Sequence, residues 1–453
     1  MYIGPLYIDF SELLAVGERP PMEIFAYFLL HGGWLLYLIV IAYGSYTIWL
    51  HHRQHEYMHR IKMILLAINV PKSTEQTLRA VESLFTAMAG AHGSTTLWEK
   101  YYKGKGQENF SVEIVSFGGQ IRFFIYTPAM YRDLIEAAVY AQYPDAEIEQ
   151  VEDYTAAAPK VFPDPVYELW GTEMTPVKPY VYPLRTYKEF EDTLAGELKD
   201  PLAGLLELMG RIGPGEQIWY QITVEPTSDK WKKHSEHEVK KLIGAEVHEA
   251  KSLSSMLVGE VADLGGRAIS TVGGFFQPPV EEKKGGKKEK PPTMMQHMSP
   301  GQKDVAAAVE MKMTKIGFKC KVRVIYFARK ELFRKSLGAS GMIGAIKQFN
   351  TVHLNALKPN KKLTTKCHYL FVPFRMAYRK RRIVRNYSAR SNHRGIPAYI
   401  LNIEELATMW HFPVVTVKAP LVQKTEAKKA EPPFRLPIVQ EESHPPRAAH
   451  AEH

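Results

Sequence analysis

The feature that most constrains this chain is an uncharged apolar run at residues 25–50, FAYFLLHGGWLLYLIVIAYGSYTIWL, which ends at His51, His52 and Arg53. A helix of about 20 apolar residues can cross the hydrocarbon core of a bilayer, and this run leaves room for some tilt. No basic leader or small-residue cleavage site precedes it, which argues against a signal peptide. The run therefore predicts one transmembrane helix; the alternatives are a buried core helix or a re-entrant hairpin.

The charges that flank this run predict its orientation. Acidic residues dominate residues 1–24, whereas basic residues follow the run: Asp9, Glu12, Glu18, Glu23 and Arg19 lie before it, and Arg53, Arg60 and Lys62 lie after it. Because Lys and Arg remain on the cytoplasmic side, we expect a short external N-terminus and a cytoplasmic bulk.

Composition limits the classes of protein and of partner. The 453 residues carry a net charge of +10 with a pI of about 9.2, which suits anionic lipid headgroups and nucleic acid equally well. Cys320 and Cys367 are the only cysteines, so a disulfide scaffold and a cysteine-based zinc finger are excluded.

Residues 51–157 show the order of elements of a ferredoxin-like βαββαβ domain. A Ser73-Thr-Glu-Gln76 capping box opens the first helix, and Gly118-Gly119 separates two alternating strands as in a hairpin. Thr127 and Pro128 open the second helix. The expected outer strands lie at residues 64–70 and 146–151.

A Pro-rich linker at residues 158–183 is expected to lead into a second ferredoxin-like domain at residues 184–375. A low-complexity insertion at about 277–300 splits this domain. The expected elements are helices at 202–209, 231–242, 305–313 and 329–350 and strands at 217–224, 319–327 and 368–372. The predicted fold class is thus α+β, with a single N-terminal transmembrane helix followed by two ferredoxin-like units.

The segment at residues 376–422 combines a basic helix at 376–387 with a short helix that a capping box at Asn402 and Glu405 opens. Residues 423–453 form a Pro-rich tail that we expect to be disordered.

The motif His55-Glu56-Tyr57-Met58-His59 matches H-E-x-x-H, in which two His bind zinc and the Glu activates water. A catalytic zinc also needs a third protein ligand, and the sequence offers none in a helical frame. His55 and His59 are therefore weak metal candidates, and contact with headgroups at the end of the apolar helix is the favoured interpretation. No other catalytic arrangement stands out, and no cofactor is predicted.

Gly338, Gly341 and Gly344 precede Lys347 and superficially resemble a phosphate-binding loop. Ala345 and Ile346 stand where the Walker motif requires Lys and Ser or Thr. Small residues spaced three apart on a helix more often allow close packing of another element, which is the interpretation we favour.

The densest run of basic residues extends from Arg375 to Arg394 and is interleaved with Tyr378 and Tyr387. Arginine and tyrosine together suit a phosphate backbone with base stacking, although an anionic lipid surface, an acidic protein and a merely solvated helix face are alternatives. The candidate phosphate contacts are Arg379, Lys380, Arg381, Arg382, Arg385, Arg390 and Arg394, with Arg375 at the start of the run.

Several segments together resemble one family. They are NFSVEIVSFGGQIRFFIYTPAMYRDLIEAAVYAQYPDAEIEQVEDYT (109–155), GFKCKVRVIYFARKELF (317–333), AIKQFNTVHLNALKP (345–359), LNIEELATMWHFP (401–413) and VKAPLV (417–422). The chain resembles the membrane-anchored N-terminal region of type IV secretion and conjugation coupling-type ATPases of candidate-phyla bacteria, over most of residues 71–432. In that family the last two segments lead towards a RecA-like motor, whereas no P-loop follows here.

The resemblance implies a non-enzymatic, membrane-anchored component of a DNA-translocation apparatus in the bacterial inner membrane. It would tether a separate P-loop ATPase, form homo-oligomers and possess a surface for DNA. The expected docking residues for the motor are Leu401, Asn402, Glu405, Trp410 and Phe412. The alternatives are a membrane-bound zinc peptidase that uses HEYMH and a stand-alone membrane tether that binds nucleic acid.

Overall fold

The computed structural model describes residues 2–3, 6–7, 20–28, 30, 34–71, 76–93, 96–192, 197–242 and 298–413. The predicted insertion at 277–300 lies almost entirely outside these residues, as do the tail at 423–453, the segment at 417–422 and Ser73 of the first capping box. All statements below concern the described residues.

The elements follow one another in two similar series. The first series is α1 (Pro21–Phe28), α2 (Trp34–Arg60), β1 (Met63–Asn69), α3 (Leu78–Ala89), α4 (Leu97–Tyr101), β2 (Phe110–Phe117), β3 (Gln120–Pro128), α5 (Arg132–Gln142) and β4 (Glu147–Val151). The second is β5 (Tyr167–Pro176), α6 (Ala203–Gly210), β6 (Glu216–Pro226), α7 (Lys230–Leu242), α8 (Pro300–Met313), β7 (Gly317–Arg329), a π-helical turn (Ser336–Gly341), α9 (Met342–Lys347), β8 (Leu357–Pro359), α10 (Val372–Ser388), β9 (Tyr399–Asn402) and α11 (Ile403–Met409).

Nine strands form one antiparallel sheet in the order β8-β5-β7-β6-β2-β3-β1-β4, with β9 pairing with the beginning of β7. Each half has the fourth, first, third and second strand of a βαββαβ unit side by side, which is the strand order of a ferredoxin-like unit. The second strands of the two halves, β2 and β6, pair antiparallel from Gln217 opposite Phe117 to Val224 opposite Phe110. The two units therefore share one continuous sheet.

Two cores lie on opposite faces of this sheet. Leu84, Phe85 and other apolar residues of α3, α5, α6, α9 and α11 pack on one face. On the other face, α10 packs against residues such as Trp219 and Phe327. Because the central strands are buried on both faces, their burial does not alternate: all but the last residue of β2 are buried.

The linker expected at residues 158–183 contains β5, an internal strand of the sheet next to the edge strand β8. Residues Tyr167 to Met174 pair with β7 on one side, and residues Met174 to Pro176 pair with β8 on the other. β5 also carries the fully buried Glu173, whose charge is matched by Arg323 of β7 at 3.0 Å. The sequence does not predict this strand, because a buried carboxylate in a Pro-flanked segment is typical of a linker. Since β5 is the first strand of the second unit, that unit begins near Tyr167.

The prediction of a closing strand at residues 368–372 is also wrong. The strand that closes the second unit is β8, at Leu357–Pro359, and Val372 begins α10. Tyr369, Leu370 and Phe371 are exposed at 87%, 78% and 78%. Their apolar character therefore does not reflect a place in the sheet.

The expected transmembrane helix at residues 25–50 is not supported. The described residues there form two helices, α1 and α2, and α2 continues beyond Leu50 through His51, His52 and Arg53. None of the helices in the described ranges is both long and apolar enough to cross a membrane. The prediction of a single-pass protein of the inner membrane is therefore not supported.

Two of the three glycines in the π-helical turn and α9 allow close packing, as expected. A Cβ at Gly338 would lie 1.9 Å from the ring of Tyr326, and one at Gly341 would lie 2.8 Å from Leu208. A Cβ at Gly344 would have no neighbouring atom within 4 Å, so the lack of a side chain there has no packing role.

Candidate nucleic-acid interface

Helix α10 has one face on the sheet and one face in solvent. Pro373 stands in its first turn, where a proline is compatible with the helix. Ala377, Ile383 and Val384 are buried against the sheet together with Tyr387. The helix is therefore fixed by its apolar side, and its opposite side is exposed among the described residues.

The exposed cations of the basic run lie on this outer side and just beyond it. Arg375, Arg381, Arg385 and Arg394 are exposed and Arg382 is partly exposed. In the part of the chain that the structure describes, ion pairs from the run to carboxylates involve only Lys380 and Arg390. The guanidinium groups of these five exposed or partly exposed arginines therefore have their charge available for a ligand.

Arg379 and Lys380 attach the helix to its surroundings. The guanidinium of Arg379 donates to the main-chain oxygens of Lys361, Thr364 and Lys366, and the Lys380 ammonium pairs with Glu168. These contacts bring the exposed Lys361, Lys362 and Lys366 side chains to the same end of the protein as the first turns of α10. The sequence predicts that both residues contact phosphate, but in this structure they hold the basic surface in place.

Arg390 is buried, so it does not lie on a phosphate-contacting surface. Its Nε donates to Glu113 at 2.7 Å and its Nη1 to Asp153 at 2.7 Å, and its guanidinium stacks 4.1 Å above the ring of Tyr126. Burial raises the pKa of the Asp153 carboxyl, but the hydrogen bonds and charge of Arg390 outweigh that effect and the pKa is lowered. Arg390 thus anchors the chain after α10 to the sheet.

A sequence signal that marks this surface is the absence of acidic residues. Residues 332–403 contain no Asp or Glu, yet they carry 15 Lys and Arg. Acidic residues normally intersperse with basic ones on a solvated surface. A stretch of one sign raises the positive potential of the face that α10 and the loop before it present, and it favours a polyanionic ligand.

The same surface exposes large aromatic side chains. Tyr369, Phe371, Phe374 and Tyr378 are exposed at 87%, 78%, 71% and 50%. Tyr387, the other tyrosine of the basic run, is fully buried instead. The sequence predicts a strand at residues 368–372, and this prediction wrongly places Tyr369 and Phe371 in a sheet. We call the exposed residues of this face the α10 surface; it comprises Lys361, Lys362, Lys366, Tyr369, Phe371, Phe374, Arg375, Tyr378, Arg381, Arg382 and Arg385.

The residues predicted to dock a motor are part of the core. Leu401, Asn402, Glu405, Trp410 and Phe412 are at most 5% exposed. Asn402 and Glu405 form the expected capping box of α11, Glu405 also pairs with the buried Lys312 at 2.9 Å, and the Trp410 ring packs against Phe85 and Phe123. These side chains fasten α11 to the sheet, so they do not form a partner-facing surface.

The H-E-x-x-H motif lies in the last turns of α2. The Nε2 atoms of His55 and His59 are 3.3 Å apart, and both carboxylate oxygens of Glu56 are engaged by Arg53 and Arg60. These arginines lower the pKa of the Glu56 carboxyl, chiefly through the hydrogen bond and charge of Arg60, which opposes a role as general base. Among the described residues, no three His, Cys, Asp or Glu lie together as a metal site would require.

Comparison with known proteins identifies a family but not an activity. Residues 67–345 match the family described as Domain of unknown function (DUF8128). This match covers both halves of the sheet from within β1 to α9. None of the curated proteins is significantly similar to the chain. Since the match extends over more than half of its length, the chain belongs to the DUF8128 family.

Proposed function

We propose that this protein is a non-enzymatic component of a DNA-translocation apparatus of the type IV secretion or conjugation class and that it binds nucleic acid through the α10 surface. One observation supports the binding part: within the described ranges, the solvent-facing guanidinium groups of Arg375, Arg381, Arg382, Arg385 and Arg394 have no carboxylate partner and stand on a rigidly held helix and the chain just after it. Phosphates supply most of the affinity of sequence-independent nucleic-acid binding. The resemblance of residues 109–155 and 317–333 to coupling-type ATPases supplies the translocation context.

The rigidity of the surface supports this proposal. Long basic side chains on a flexible tail would lose more conformational entropy when they bind than the same side chains on a packed helix. Here Ile383 and Val384 pack α10 on the sheet, and Arg379 and Lys380 tie it to neighbouring segments. The exposed arginines therefore project from a preformed scaffold.

Binding of the intact chain to a fluorescein-labelled DNA, followed by anisotropy, tests the proposal. The triple variant Arg381→Gln, Arg382→Gln, Arg385→Gln should bind at least about tenfold more weakly, because three phosphate contacts are lost. The matched control is Lys233→Gln, Lys240→Gln, Lys241→Gln on α7, which removes the same charge from exposed positions elsewhere. Equal losses in both variants would mean that net charge alone attracts DNA, and no binding by the intact chain would contradict the proposal.

A separate P-loop ATPase is the partner that the resemblance implies. It would contact a surface other than residues 401–413, since those side chains are buried. Truncation before Leu401 would expose the core and is therefore a poor test. Affinity purification of the intact chain from its own cells should recover a P-loop ATPase identified by mass spectrometry. Failure to recover one would remove this partner and leave the nucleic-acid proposal intact.

A further inference from the structure

The segment that leads into α10 has an unusual backbone. Tyr369 and Phe371 have φ values of +66° and +55°, in the left-handed region that bulky side chains rarely adopt. Such backbone conformations persist only where the surroundings impose them, and they concentrate at binding sites. Here the result is that large apolar side chains point into solvent.

Neighbouring groups hold this conformation. Pro373 restricts the start of the helix, the Arg375 amide donates to the Phe371 carbonyl at 3.0 Å, and Arg375 Nη1 approaches the carbonyl oxygens of Tyr369 and Leu370 at 3.5 and 3.4 Å. The aromatic side chains are therefore presented by an ordered turn rather than by a loose end.

The aromatic residues continue as a row along α10. Phe374 and Tyr378 are four residues apart on α10, which places them on one side of the helix, and Phe371 immediately precedes its first residue. Arg381 and Arg385 continue the same row towards the C-terminal end, again three and four residues further along. Planar rings thus lie at one end of a stripe and free cations at the other.

An apolar protein groove would match the rings but not the charge beside them. The acid-free stretch at 332–403 disfavours a basic or neutral partner and favours a polyanion that also has exposed planar groups. Bases in a duplex are already stacked on each other, whereas unpaired bases can stack on aromatic side chains. Single-stranded nucleic acid combines both requirements.

We propose that the α10 surface binds single-stranded nucleic acid, with bases stacked on Phe371, Phe374 and Tyr378 and phosphates on Arg375, Arg381, Arg382 and Arg385. This inference rests on the proposed nucleic-acid binding and specifies its substrate class. The duplex would make only the phosphate contacts, so the protein prefers single strands.

The experiment compares a labelled oligothymidylate, an oligouridylate of equal length and the corresponding DNA duplex with the full chain. We expect the single strands to bind more tightly than the duplex. The double variant Phe374→Ala, Tyr378→Ala should lose roughly tenfold or more for single strands, because one stacked base contributes about 1–3 kcal/mol, and little for the duplex. Tighter binding of either single strand than of the duplex supports the inference.

Two variants control for nonspecific effects. Tyr140→Ala removes a 41% exposed ring from α5, on the opposite face of the sheet, and should leave binding unchanged. Phe374→Trp should retain single-strand binding, with a tryptophan signal that the bound oligonucleotide quenches.

Three outcomes have different meanings. Equal affinity for duplex and single strand, with no effect of Phe374→Ala, Tyr378→Ala, overturns the single-strand inference while the charge-based proposal survives. No binding to any nucleic acid overturns both. Binding to vesicles of anionic phospholipid that requires Phe374 and Tyr378, without nucleic-acid binding, overturns both in favour of a lipid surface.

Discussion

The guanidinium of Arg390 bridges to the carboxylate of Glu113 through two hydrogen bonds of 2.7 and 3.2 Å, although 277 residues separate the two along the chain. Glu113 belongs to β2 in the first half of the sheet, and Arg390 follows α10 after the second half. Both side chains are at most 1% exposed. The ion pair therefore couples the position of α10 to the joint between the two halves.

Arg390→Ala should destabilise the protein by about 3–5 kcal/mol, because it leaves the buried Glu113 carboxylate without its cation. Arg394→Ala is the matched control: its side chain is exposed, and we expect a change within about 0.5 kcal/mol. Urea unfolding monitored by tryptophan fluorescence gives both free energies. The additional change Glu113→Gln should recover part of the loss in the Arg390→Ala background. A similar small effect of both arginine substitutions would contradict the structural role of the pair.

Lys321 should make stability rise with pH. Burial, with the charge of Arg323, lowers the pKa of its ammonium from 10.5 to about 8, so the unfolded chain binds this proton more strongly than the folded protein does between these values. The free energy of unfolding of the wild type should therefore increase relative to Lys321→Met by roughly 2 kcal/mol between about pH 7 and about pH 10. Chemical denaturation of both proteins across this range measures the difference. A difference that does not change with pH would show that Lys321 titrates normally.

Gly338 and Gly344 should respond oppositely to the same substitution. Gly338→Ala places a methyl group against the ring of Tyr326 and should destabilise the protein by about 1–3 kcal/mol or more. Gly344→Ala meets no atom within 4 Å and lies in α9, so the gain in helix propensity should stabilise by about 0.5–1 kcal/mol. Thermal unfolding of the two variants provides the comparison. Destabilisation by both would mean that the segment tolerates no side chain for a reason other than packing.

Sequence patterns predict those elements whose apolar and polar residues alternate along the chain or whose ends carry local signals. The β2–β3 hairpin follows from alternation around Gly118 and Gly119, which both have positive φ. The capping box of α11 is local in sequence and lies where expected. Strand β5 is missed because it lies in a Pro-rich stretch that is typical of a linker and carries the buried Glu173, and β8, with three residues, is too short to show a period.

The candidate surface is only partly predictable. The basic character of α10 is evident from composition, but the roles of individual cations depend on contacts between distant residues. Arg390 forms ion pairs with Glu113 and Asp153, and Lys380 forms one with Glu168. These carboxylates are remote in sequence, and the pairs leave neither cation available for a ligand. The exposed Phe371 and Phe374 resemble core residues because apolarity alone does not distinguish a buried position from a ligand-contacting one.

The salt dependence of single-stranded DNA binding tests the role of the α10 surface most directly. For single strands, the slope of log K against log salt is negative, and its magnitude decreases by about 0.7 for each phosphate contact that is lost. The intact chain should therefore show a slope steeper by roughly 2 than that of the Arg381→Gln, Arg382→Gln, Arg385→Gln variant, whereas the α7 lysine variant should retain the slope of the intact chain. Identical slopes for the intact chain and the arginine variant would contradict phosphate binding by α10.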